Sequence, residues 1–139
     1  MLNRGSTAVE VPSMYAPDVL IVDDDTDIRT MLSFALGGEF LLRFATNGTD
    51  ALHELATRPP AAMVLSAAMS GVDGYDVLEA RRERGLAPNT VIVMLTASPD
   101  QRDIVRSWSL GAVAHLIRPI DPEQIAVQLR VNLASAVPA

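Results

Sequence analysis

The chain has no cysteine, which excludes a disulfide scaffold and a thiolate metal site and fits a reducing cytosol. It also lacks any apolar run approaching the ~20 residues that a membrane-spanning helix needs. The opening stretch MLNRGSTAVEVPSMYAP has no continuous apolar centre and does not read as a signal peptide. A flexible tail is expected over residues 1–17. Nor is there a surplus of positive charge: the net charge is −6 and the isoelectric point about 4.7. A grip on nucleic acid needs a basic face that displaces counterions, so direct contact with DNA is not expected. What remains is a chain of 139 residues, 49% hydrophobic and 20% charged. That is the balance of one globular, cytoplasmic domain with one buried core.

Five short apolar runs, at 19–22, 40–44, 62–65, 91–95 and 113–117, alternate with five helix-like segments. Most of the runs are continuous rather than alternating, as in strands covered on both faces of a parallel sheet. The second carries Arg43 and reads as an edge strand. In the first helix Ile28, Met31, Leu32, Ala35 and Leu36 form one apolar stripe. Gly37-Gly38 is expected to end it in a left-handed turn. The second helix opens at Asn47 and buries Ala51, Leu52 and Leu55; the third opens at Asp73 and buries Val77 and Leu78. The fourth is expected to start with Ser98 as cap, Pro99 in the first helical position and Gln101 closing a capping box. Asp121, Pro122 and Gln124 repeat that device in the fifth, which then buries Ile125, Leu129 and Leu133. Strict alternation predicts a doubly wound α/β fold with right-handed crossovers and helices on both faces. In such a sheet the site lies at the carboxyl ends of the strands.

After the first strand come Asp23, Asp24 and Asp25, then Asp27. One carboxylate suffices to cap a helix and complement its dipole. A run of three points further, to a hard divalent cation such as Mg²⁺ or to a cationic partner. Ser66 follows the third run, Thr96 and Ala97 the fourth, and Arg118 and Pro119 the fifth. Singly these are ordinary turn residues or solvated charges.

Together the segments VLIVDDDTDIRTML, GVDGYDVL, VIVMLTAS and HLIRPID, in this order and spacing, resemble the receiver domain of two-component response regulators over residues 18–135. Residues 136–139 are expected to be a second tail. The resemblance implies a five-stranded flavodoxin-like sheet of order 2-1-3-4-5. It implies an acidic, metal-binding pair at Asp23 and Asp24 and a phosphoryl-contacting hydroxyl at Thr96. Counting back eight residues from Gly74, the family's phosphoacceptor aspartate falls on Ser66. The family's lysine before Pro119 is Arg118, and its switch aromatic is His115.

These departures change the chemistry expected. An aspartate attacks as a ready carboxylate, whereas a serine hydroxyl needs a general base. Losing a carboxylate also weakens a Mg²⁺ site, so no cofactor is expected beyond weak Mg²⁺ at Asp23 and Asp24. Arginine is a planar fork, not a point charge. With room left by Ser66, Arg118 is expected to bridge Asp23 or Asp24 in place of the metal, a bond of roughly 1.5–3 kcal/mol. His115 reads as a partly exposed strand-end histidine, or as a pH-sensitive group, since histidine titrates near pH 6.5.

The reading that follows is a non-enzymatic, phosphorylation-independent signalling module. Its protein partner, a signalling protein, a fused output domain or a second copy, would use the face of helix four, strand five and helix five. Arg102, Asp103 and Arg106 lie near that face. Trp108 is expected to pack between helix four and the sheet, and to mark an interface if exposed. Arg81, Arg82 and Arg84 read as a solvated helix end. The alternative is a receiver that takes phosphate on another residue, Asp73 or Asp76 being nearest. A flavodoxin-type nucleotide site is excluded because the acidic first loop would repel phosphate.

Overall fold

The computed structural model describes residues 16–136, so most of the tail expected over 1–17, and all but the first residue of that expected over 136–139, lie outside the described residues. The elements are β1 (Asp18–Val22), α1 (Thr26–Leu36), β2 (Leu41–Ala45), α2 (Gly48–Thr57), β3 (Ala62–Ser66), α3 (Gly74–Arg84), β4 (Val91–Thr96), α4 (Gln101–Ser109), β5 (Ala114–Ile117) and α5 (Pro122–Ala136). The five strands are parallel in the order β2-β1-β3-β4-β5. The sheet is doubly wound, as the alternation predicts, and has the flavodoxin-like order that the resemblance implies, with β2 at an edge.

Alternate residues of the central strands feed two separate cores. Leu20, Met63, Leu65 and Met94 pack with Leu55, Val77 and Leu78 on one side; Ile21, Val64 and Val93 pack with Leu32, Leu36, Ile125 and Leu129 on the other. The three central strands, β1, β3 and β4, are covered on both faces, which is why their sequences are unbroken apolar runs.

Four local expectations change. Ala35 is exposed, so the buried stripe of α1 narrows to Leu32 and Leu36 with Ile28 and Met31 partly covered. Gly37 is not left-handed; its φ is −66°, and glycine fits there because a Cβ would lie 2.6 Å from the Ser33 carbonyl oxygen. The cap of α4 is Asp100, whose carboxylate accepts from the Arg102 N–H at 2.9 Å. Ser98 serves the preceding turn, accepting from the Asp100 N–H and donating to Asp103. A carboxylate two residues nearer the helix is the better acceptor, so α4 begins later. In α5 the Asp121 carboxylate accepts from the Glu123 N–H, while the Gln124 N–H goes to the Asp121 carbonyl; the cap is as expected but the box is not closed.

The β2 edge is held by Arg43. Its Nε and Nη2 take both oxygens of Asp18 at 2.9 and 2.8 Å, its Nη1 takes Glu54 at 2.8 Å, and Nη2 also meets the Arg58 carbonyl at 2.7 Å. The guanidinium thus ties the start of β1 to β2 and α2, and the hydrogen bond with Asp18 raises its pKa above the ordinary value. Arg43→Ala should lower stability by about 2–3 kcal/mol, because two carboxylates lose a largely buried partner. Arg43→Lys should recover only part, lacking the fork. Urea titration of the three proteins measures this.

Candidate functional site at the carboxyl ends of the strands

Parallel strands bring the residues after β1, β3, β4 and β5 to one end of the sheet. The three adjacent aspartates there do three different things. Asp23 is buried, only 2% exposed, and points into the sheet end. One of its oxygens accepts from the Asp25 N–H at 3.0 Å and the other from Arg118 Nη2 at 3.1 Å. Asp24 is exposed and accepts weakly from the Ser70 N–H at 3.4 Å. Asp25 caps α1 by accepting from the Asp27 N–H.

Ser66 ends β3 and is 1% exposed. Its hydroxyl donates to the Ala68 carbonyl at 3.4 Å and accepts from the same Arg118 Nη2 at 3.1 Å. The loop that follows folds tightly back: the Gly74 N–H donates to the Ala67 carbonyl at 2.9 Å. A Cβ on Gly74 would lie 2.4 Å from the Ser66 carbonyl oxygen, so only glycine fits at this approach. The spacing from Ser66 to the GVDG segment is therefore fixed by backbone contact.

Arg118 follows β5. Its backbone N–H donates to the Thr96 carbonyl at 2.7 Å, which aims the side chain across the sheet end. The guanidinium bridges Asp23 and Ser66 through one nitrogen and does not bond Asp24. Thr96 is buried, and its hydroxyl accepts from the Ser98 N–H at 3.0 Å within its own turn. Pro119 is exposed beside the site, joined to Arg118 by a cis peptide bond.

His115 is partly covered and turned toward α4. Its Nδ1 lies 2.9 Å from Ser107 Oγ. The same hydroxyl also lies 2.8 Å from the Ile104 carbonyl. The buried Nε2 has no partner among the described residues.

Trp108 does not pack against the sheet; it is 56% exposed. Ser107, three residues after Ile104, takes the inward place and is fully buried beside His115; Trp108, one residue on, is rotated outward. Arg102 is exposed and paired with Asp100 at 3.0 Å. Arg106 pairs with Glu79 and stacks over the Tyr75 ring at 4.5 Å. The arginines of α3 are not all solvated. Arg81 is partly buried and donates to the Ala87 carbonyl, and burial lowers its pKa; Arg82 donates to the Ser109 carbonyl at the end of α4. The sequence reading missed Tyr75, whose hydroxyl donates to the Asp103 carbonyl at 3.1 Å and whose pKa burial raises. An aromatic beside the glycine turn was the available signal.

Asp23 is the buried carboxylate that a cation at this sheet end would meet first. Both Asp23 oxygens are engaged, one by a cation, and the described residues hold no cluster of three or more metal-binding side chains. Arg118→Ala should cost about 1–2 kcal/mol, since it strips the cation from a buried carboxylate that keeps one N–H donor. Chemical denaturation checks this, and stability unchanged within error would contradict it.

The sequence profile of the response regulator receiver domain matches residues 19–130. The DNA-binding response regulator MtrA of Mycobacterium tuberculosis is 33% identical over 116 residues, covering 83% of this chain and 50% of that protein. The chain spans about half the length of the curated relatives it matches. Among solved structures, a putative response regulator from Chloroflexus aurantiacus superposes with a TM-score of 0.78 at 30% identity, covering 86% of this chain and 98% of that one. The receiver domain of Francisella response regulator 1452 superposes with a TM-score of 0.81 at 20% identity, over 87% of this chain and 99% of the other. Matched in sequence and in fold, the chain belongs to the receiver domain family of two-component response regulators.

Proposed function

We propose that this receiver domain signals by binding protein and does not accept phosphate at the end of β3. The observation that carries the reading is the single Arg118 nitrogen lying 3.1 Å from both Asp23 and Ser66. In this reading a covalently attached cation does the neutralising work of Mg²⁺, and the pocket rests in one state. The Ser66 hydroxyl supports it: it is buried, it gives its proton to a carbonyl, and no general base is bonded to it. The chain has no lysine to supply the family's ammonium from elsewhere.

A relocated acceptor finds no support. Asp73 and Asp76 are locked in a mutual capping box, each carboxylate taking the other's backbone N–H. The name of the mycobacterial relative speaks of DNA binding, but this chain corresponds to half of that protein and carries a net charge of −6. An acidic domain offers no counterion-releasing face.

The partner surface proposed is that of α4, β5 and α5. Val105, Trp108, Val113, Ile117 and Val127 are exposed there, while Arg102, Arg106 and Arg130 are each matched with carboxylates of the same chain. With its charges internally satisfied, the face would recognise an apolar partner through Trp108, the residue type that most often anchors interfaces.

Intact-mass analysis after incubation with a small-molecule phosphodonor and Mg²⁺ tests the reading. The native chain should stay unmodified, and the double variant Ser66→Asp with Arg118→Lys should gain about 80 Da, one phosphoryl group. An adduct on the native chain would overturn the proposal.

A further inference from the structure

We propose that the corner between α1 and β2 is a second interaction surface, on which two copies of this chain pack about a two-fold axis. Phe34 on α1 is 84% exposed and Phe44 on β2 is 42% exposed. The chain has only three phenylalanines, and the third, Phe40, is in the core at 2%. Phe44 has the same strand parity as Leu42, which packs on the α1 and α5 side, so it leans toward α1. Both exposed rings border one open groove of about 350 Å³, lined also by Arg29, Thr30 and Ser33. Scattered surface apolar residues need no explanation, but paired aromatics around a groove do. Folding does not demand Phe34, because the core stripe of α1 runs through Leu32 and Leu36. Since β2 is an edge strand, no further strand of the sheet covers this corner.

The occupant that fits is a second copy. A symmetric dimer uses the same patch on both sides, so the patch must contain both a projection and a recess. Here Phe34 projects beside the groove it helps to line. The charges follow the same rule. Among the described residues the Arg29 side chain donates to the Asp23 carbonyl and the Thr26 hydroxyl and pairs with no carboxylate, and Asp27, seven residues before Phe34 on the same helix stripe, has no cation partner. A patch with both signs unmatched complements itself better than it complements a uniformly basic or acidic partner. Because β2 and β5 lie at opposite edges of the sheet, such a dimer leaves the α4, β5 and α5 face free. Two phenylalanines per copy make a contact smaller than the ~1,200 Å² of stable complexes, so the dissociation constant should lie between about 10 μM and 1 mM.

Sedimentation equilibrium, together with amide NMR spectra recorded as the chain is concentrated to about 1 mM, tests this. The mass should rise toward twice that of the chain, with shifts centred on Arg29, Ser33, Phe34 and Phe44. Phe34→Asp should abolish both effects, Phe44→Ser should repeat that result from a different element, and Trp108→Asp should leave both intact. A single-chain mass throughout would overturn the proposal. So would a dimer that survives Phe34→Asp and Phe44→Ser, or one lost on Trp108→Asp.

Discussion

One guanidinium nitrogen organises the carboxyl end of this sheet. Arg118 Nη2 meets the buried Asp23 after β1 and the buried Ser66 at the end of β3, while the Arg118 backbone N–H is anchored on Thr96 at the end of β4. Three strands therefore converge on one residue that itself follows β5, the fourth. A buried carboxylate is costly unless paired, and the pairing here comes from within the chain. In the reading proposed above, this internal cation and an external metal compete for the same oxygen.

That constraint also accounts for the neighbouring contacts. Thr96 turns its hydroxyl to the Ser98 N–H, and Ser98 in turn holds Asp103 of α4. Asp103 receives Tyr75 through its carbonyl, and Arg106 stacks on that ring while pairing with Glu79. His115 Nδ1 hydrogen-bonds Ser107 on the inner side of the same helix. Helix α4 is thus tied to α3, to β5 and to the turn after β4. Its outward residues Val105 and Trp108 are presented from a held position, at low ordering cost to a partner.

The sequence made the architecture readable because the signals were physical and redundant. Continuous apolar runs marked the doubly covered strands, Arg43 marked an edge, and Asn47, Asp73 and Asp121 marked helix starts. The site was readable in part, since strand order alone brings Asp23, Ser66, Thr96 and Arg118 to one end. What was not readable turned on rotation and competition between near-equivalent groups. Trp108 and Ser107 differ by one residue, so a small rotation of α4 decides which faces inward. Asp100 and Ser98 both precede α4, and the carboxylate wins the cap. Gly37 was read for its freedom of rotation, while the structure uses its lack of a side chain. Arg118 was read against Asp23 or Asp24 alone, while its nitrogen is shared between Asp23 and Ser66.

The central claim is that an internal cation has taken the place of the metal, and amide NMR during titration with Mg²⁺ and beryllofluoride tests it most directly. The account predicts no saturable shifts at Asp23, Ser66, Thr96 or Arg118, and a pocket that stays in its single state. Saturable shifts at those residues at millimolar Mg²⁺, spreading to α4 and β5, would show a site still open to metal and phosphoryl chemistry and would contradict the account.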